Sequence, residues 1–158
     1  MADQEIISHW HILLDDFNAS ALNFYGSVEK ALGARKIPDL KVKRVNWREG
    51  GMLSAKREYL RVSRGDLIYD ICAAPYGTGY FFSSWMAVKA PIPIIAAITR
   101  LFFKPVTYYE VDTRLMFQDS VHRSLTDTIG SIRTAQGLRA LTPDELRPTM
   151  SGLVGRGA

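Results

Sequence analysis

The sequence predicts an α+β fold, a two-layer sandwich with a long N-terminal helix, a four-stranded antiparallel meander, a long C-terminal helix and a short capping helix. Three observations carry this. Apolar residues recur at steps of three and four over residues 4–34 and again over 110–135, the period of a helix with one buried face. Between residues 40 and 88 the period falls to two, with turn residues between the runs. The links between those runs are too short for any but antiparallel neighbours, and helices gathered on one face of such a sheet make an α+β sandwich.

Taken in order, Ile6, Trp10, Leu13, Phe17, Ala21, Phe24, Val28, Ala31 and Leu32 predict one amphipathic helix over 4–34, or two joined near Asn18 to Ser20. Gly33 supplies its stop and Pro38 prevents its resumption. At 1.5 Å per residue such a helix spans roughly 45 Å, more than a small domain is wide, so either part of it packs on a second copy of the chain or its two halves both pack on the protein's own sheet and C-terminal helix. Leu40, Val42, Val45 and Trp47 predict a strand with a bulge at Lys43-Arg44, where the phase slips. Met52 to Val62, Leu67 to Ala73 and Tyr80 to Val88 are the next three strands. Arg64-Gly65-Asp66 reads as a hairpin turn rather than an adhesion motif. Ala90 to Phe103 is an apolar segment made extended at its start by Pro91 and Pro93. The second long helix follows over Glu110 to Ala135 with Gly137 as its stop, and Thr142-Pro143-Asp144-Glu145 carries the capping signature of a short helix at 143–151.

The chain of 158 residues is 47% apolar, which suits one α+β domain over residues 1–151 with a flexible tail at 152–158. Its single cysteine, Cys72, excludes an internal disulfide and any zinc ribbon, and points to a reducing compartment. Asp3 and Glu5 open the chain where a secretory signal would be basic and then apolar. The longest apolar stretch, Trp85 to Phe103, is interrupted by Lys89, Pro91, Pro93 and Arg100 and does not read as a membrane span. The expected localisation is cytoplasmic, extending to a peripheral position at the inner face of the membrane.

Charge is distributed unevenly. Residues 1–34 carry one base and five acids, whereas residues 35–64 carry ten bases and three acids. Half of all the Lys and Arg thus fall in thirty residues. Such a concentration suits an anionic lipid surface, an acidic protein partner or nucleic acid, or simply a solvated strand face. Lys41, Lys43, Arg44, Arg57 and Arg61 form the candidate basic partner-binding surface. Tyr76, Phe82, Trp85, Ile94, Ile95, Phe102 and Phe103 form a candidate aromatic and apolar interaction surface, because alternate strand residues face opposite sides.

Catalytic signals are weak. Cys72 has no base at a nucleophile's spacing and sits in the middle of an apolar strand. His9, His11 and His122 are too few and too scattered for a metal site, and on a helix His9 and His11 point to different sides. The glycines of Pro75-Tyr76-Gly77-Thr78-Gly79 precede a strand rather than the helix that a phosphate cradle requires. No catalytic residue, metal or cofactor is expected.

The runs Ser54-Ala55-Lys56-Arg57-Glu58-Tyr59-Leu60, Asp70-Ile71-Cys72-Ala73-Ala74-Pro75-Tyr76-Gly77-Thr78-Gly79, and Thr107-Tyr108-Tyr109 with Asp112-Thr113 and Met116-Phe117-Gln118, together with Gly137-Leu138-Arg139-Ala140-Leu141, resemble a family of uncharacterised bacterial proteins. Some members place a longer apolar insert where this chain has Ala90 to Phe103. The resemblance implies a bacterial protein near a membrane and implies no activity.

The functional expectation is a non-enzymatic binding or assembly module, held at an anionic membrane surface or in a complex with an acidic protein partner, with homo-oligomerisation through the long first helix. The alternative is a small enzyme or ligand-binding protein with a pocket lined by Tyr69, Cys72, Tyr109 and His122. A nucleic-acid module using Lys41, Lys43, Arg57, Tyr59 and Arg61 stands third.

Overall fold

The computed structural model describes residues 4–48, 56–89 and 106–150. In chain order these form β1 (Gln4–Asp15), α1 (Ala21–Ala34), β2 (Lys41–Arg48), β3 (Lys56–Arg64), β4 (Leu67–Tyr76), β5 (Gly79–Lys89), α2 (Tyr108–Ala135) and β6 (Thr149–Met150). The strands make one antiparallel sheet in the order β2-β3-β4-β5-β1-β6, five long strands and a two-residue sixth. The chain is therefore α+β, but the expected layout is overturned at its N-terminus.

Residues 4–15 are a strand, not the first half of a helix, and the meander is widened by that strand into a larger sheet. The physical reason lies in the burial of alternate residues. Trp10 and Leu14 face the core beside the half-buried Ile12, while His11 and Leu13 are exposed. A bulge between Ile6 and Ser8 shifts the phase, so that Ile7 and Ser8 are both buried. That shift makes Ile6, Trp10 and Leu13 mimic a helical period, although Ile6 and Leu13 are about half exposed. β1 is held by β5 along its length, from Gln4 opposite Lys89 to Asp15 opposite Gly79. No helix of thirty residues exists among the described residues, and self-association through a long first helix has no element to use.

Asp16, at φ 58, ends β1 in the left-handed region that Asp tolerates better than most residues. Ser20 then caps α1, its hydroxyl accepting from the Asn23 amide. The expected break near Asn18 to Ser20 is thus where the strand hands over to the helix. The expected bulge at Lys43-Arg44 is absent, since β2 and β3 pair without a slip from Lys41 opposite Ser63 to Arg48 opposite Lys56. The start of the expected second strand at 52–55, the apolar segment at 90–103 and the tail at 152–158 lie outside the described residues.

Thr107 and Glu110 cap α2 reciprocally, the Glu110 amide donating to Thr107 Oγ1 and the Thr107 amide to Glu110 Oε2. The short helix expected at 143–151 is reduced to a single turn. Its capping box is formed, with Glu145 N to Thr142 Oγ1 at 3.2 Å and Thr142 N to Glu145 Oε2 at 2.8 Å. Pro148 then blocks extension, because proline lacks an amide and keeps the residue before it out of the helical region. Thr149 and Met150 pair instead with His9 and Ser8.

Both helices lie on one face of the sheet. Phe24, Val28 and Leu32 of α1 and Phe117, Val121, Leu125 and Ile129 of α2 pack with Trp10, Leu60, Val62, Ile71, Phe82 and Met86 of the strands. The α1 side also places Tyr25 between β3 and β4 where their pairing stops, beyond Leu60 opposite Ile71. Its hydroxyl donates to Glu58 O at 2.9 Å and accepts from Ala73 N at 3.0 Å, replacing a rung of the ladder.

Candidate functional site

The strand alternation sorts the basic segment into two faces. On the face away from the helices stand Lys41 and Lys43 of β2 and Arg57, Tyr59 and Arg61 of β3, with Lys43 opposite Arg61 and Trp47 opposite Arg57. Lys41, Lys43 and Arg57 are exposed and carry no ion pair among the described residues. Arg61 is different. Its Nε and NH2 bond both oxygens of Asp70 on β4 at 2.7 and 2.6 Å, and its guanidinium lies 5.0 Å from the Trp47 ring centre. The side chains of this pair are only 12% and 14% exposed, and the Asp70 hydrogen bonds raise the Arg61 pKa further. Arg61 therefore ties β3 to β4.

Arg44 faces the opposite way, toward α1. It lies 4.7 Å over the Tyr25 ring and reaches Glu29 at 3.3 Å and Glu58 at 3.4 Å. Of the five bases proposed as one surface, two are thus engaged in holding the fold and three are exposed with no ion pair among the described residues. They stand at the outer strands of the sheet, and β2 has no strand beyond it among the described residues.

Beside this edge, on the helix side, is a groove of about 430 Å³. Leu32, Gly33, Ile37, Leu40 and Val42 line it together with the charged Glu29 and Lys36. The connection from α1 to β2 shapes it with two residues in the left-handed region, Lys36 at φ 50 and Asp39 at φ 57. Sequence reading missed this groove. Its signal was Ile37 beside Pro38 between two regular elements, an apolar residue that no periodic face accounts for.

The aromatic and apolar set does not form one surface. Phe82 is fully buried in the core against Phe17, Phe24 and Tyr80. Trp85 is 39% exposed on the outer face, stacked on His9 at 5.1 Å. Tyr76 is exposed at the β4–β5 turn. Ile94, Ile95, Phe102 and Phe103 lie outside the described residues. As strand residues, His9 and His11 share one face and their rings stack at 6.0 Å, contrary to the divergence expected of a helix. Among the described residues no three His, Cys, Asp or Glu side chains gather so as to hold a metal, and no helix is long and apolar enough to cross a membrane.

The four residues of the pocket alternative do not converge. Cys72 is buried on the face away from the helices, opposite Ser83, and burial raises its thiol pKa. Tyr109 is 78% exposed at the start of α2. Tyr69 and His122 do meet, in the core. Ser84 Oγ lies 3.0 Å from Tyr69 OH, which lies 3.0 Å from His122 Nδ1, while His122 Nε2 is 2.6 Å from Leu146 O. The carbonyl requires a proton on Nε2, so Nδ1 accepts from the phenol and Tyr69 accepts from Ser84. Every partner is satisfied by protein, and burial lowers the His122 pKa. With Trp10 Nε1 donating to Glu145 O at 2.7 Å, this network fastens the C-terminal segment to β1 and α2.

Comparison with protein families, with curated proteins and with solved structures found no match. The functional reading rests on the chain's own geometry.

Proposed function

We propose that this protein is a non-catalytic binding module that takes an acidic protein partner at the β2–β3 end of its sheet. The observation that carries this reading is the separation of the cations into engaged and available sets. Arg44 and Arg61 are neutralised by Glu29, Glu58 and Asp70, so the exposed Lys41, Lys43 and Arg57 are left as a local excess of positive charge. Exposed cations of this kind steer and orient an anionic partner more than they stabilise the free protein.

Titration of labelled polyglutamate tests the reading. The native protein is expected to bind with an affinity that falls as salt rises, and Lys41→Glu/Lys43→Glu/Arg57→Glu to bind at least about tenfold more weakly, a loss of about 1.4 kcal/mol. Equal binding by the variant refutes the assignment of these residues.

A further inference from the structure

We infer that the free edge of β2 receives an extended acidic segment of the partner as an added strand, with an apolar side chain of that segment seated in the Leu32–Ile37–Leu40–Val42 groove. The inference rests on the acidic-partner reading above and goes beyond it in assigning backbone pairing and a side-chain anchor.

Three observations converge on this edge. First, β2 is eight residues long, pairs with β3 on one side and has no strand on the other among the described residues. Among the described residues its outer side thus pairs with no strand over about 26 Å. Second, over Lys41–Lys43 the two faces of that edge differ in chemistry, as the two faces of an added strand would. Lys41 and Lys43 lie on the outer face, whereas Val42 lies on the helix side and lines the groove. A strand with acidic residues beside Lys41 and Lys43 and an apolar one beside Val42 matches both faces there, while farther along β2 Arg44 and Asn46 take the helix side and Val45 and Trp47 the outer one. Third, a second copy of the chain is a poor occupant. β2 carries Lys41, Lys43, Arg44 and Arg48 and no acid, so pairing β2 with itself brings like charges face to face.

Charged residues on edge strands also guard against unwanted pairing. That role explains Lys41 and Lys43, but it does not explain a groove beside the same edge to which Leu32, Ile37, Leu40 and Val42 contribute. Guarding by charge and selection by charge are compatible, since a basic edge that rejects its own copy accepts an acidic strand.

The test uses the full chain and a fluorescein-labelled peptide of the length of β2 in which Glu alternates with Val. A second peptide of the same sequence is N-methylated at alternate residues, which removes its capacity to pair as a strand. The parent peptide is expected to bind, to protect the amides of Lys41–Arg48 from hydrogen exchange, and to lose at least about tenfold in affinity with Lys41→Glu/Lys43→Glu. Gly33→Leu places a side chain at the groove, where a Cβ on Gly33 meets nothing within 4 Å, and is expected to weaken binding while leaving the fold intact. Equal binding of the N-methylated peptide, or protection that spares β2, overturns strand addition and leaves the acidic-partner reading standing. Equal binding by Gly33→Leu overturns the groove as anchor. If neither peptide nor polyglutamate binds, both readings fall, as they do if phosphatidylserine vesicles or a single-stranded oligonucleotide bind through the same lysines while the acidic polypeptides do not.

Discussion

Replacing Asp70 with alanine is expected to destabilise the protein by about 2–3 kcal/mol, whereas removing Lys41 and Lys43 together is expected to leave stability within about 0.5 kcal/mol. The contrast follows from where the cations sit. Asp70 takes two short hydrogen bonds from Arg61, and both side chains are nearly nine-tenths covered. Removing the carboxylate leaves a guanidinium without its partner against the Trp47 ring. Loss of one member of a fully buried pair costs about 3–5 kcal/mol, and the remaining access to water reduces that here. For a chain of this size each kcal/mol moves the melting temperature by about 2–4 °C, so Asp70→Ala is expected to melt about 4–12 °C lower. Urea and thermal melts followed by tryptophan fluorescence provide the measurement. Arg61→Leu/Asp70→Leu supplies the control, because replacing both partners by apolar groups removes the unpaired charge, and it is expected to lie closer to the native protein than either single variant. An Asp70→Ala protein melting within about 1 °C of native, or a Lys41→Ala/Lys43→Ala protein as damaged as Asp70→Ala, would refute the division into structural and available cations.

Three further outcomes follow. Because burial lowers the His122 pKa in the fold, the unfolded chain binds the extra proton first on acidification. Stability contributed by neutral His122 is thus complete above about pH 6.5 and declines below it, with a slope of up to about 1.4 kcal/mol per pH unit. Urea midpoints measured across that range should show the slope shrink in His122→Gln, and an unchanged slope would exclude His122 as its source. Gly26→Ala and Gly33→Ala, both within α1 and facing open space, are expected to stabilise by about 0.5–1 kcal/mol, while Gly65→Ala, at φ +59, costs about 1 kcal/mol. Finally, the Cys72 thiol is expected to react with an aromatic disulfide reagent only after denaturation, and rapid labelling of the native protein would contradict its burial.

Much of the fold is legible in the sequence wherever the deciding contacts are local. Thr107 with Glu110, and Ser20 before the Phe24–Val28–Leu32 stripe, mark helix starts through hydrogen bonds that span three residues. The meander from β2 to β5 is readable because its strands follow one another with Gly65 and Gly77 at the later turns. β1 is not, because its partner β5 lies more than sixty residues away and a bulge at Ile7 disguises its period. Pro148 stands in plain view, yet the capping box of Thr142 and Glu145 opens a single turn as readily as a helix, and the pairing of Thr149 with His9 on a distant strand decides between them. For the candidate site, the concentration of bases is visible and their division is not. Which face Arg44 takes depends on register, and the acids that engage Arg44 and Arg61 come from α1, β3 and β4.

The pairing of β1 with β5 also sets the order in which the molecule can be assembled. His9 and Trp85 face each other across 76 positions of chain, so among the described strands β1 has no neighbour until β5 has been synthesised. At about 5–20 residues per second, β1 with Ile7, Trp10 and Leu14 waits about 4–15 s. A chain arrested before β5 therefore carries an unpaired, apolar strand, the kind of segment that chaperones engage and that nucleates aggregates. The closure of β1 on β5 is expected to slow folding more than the formation of either helix does.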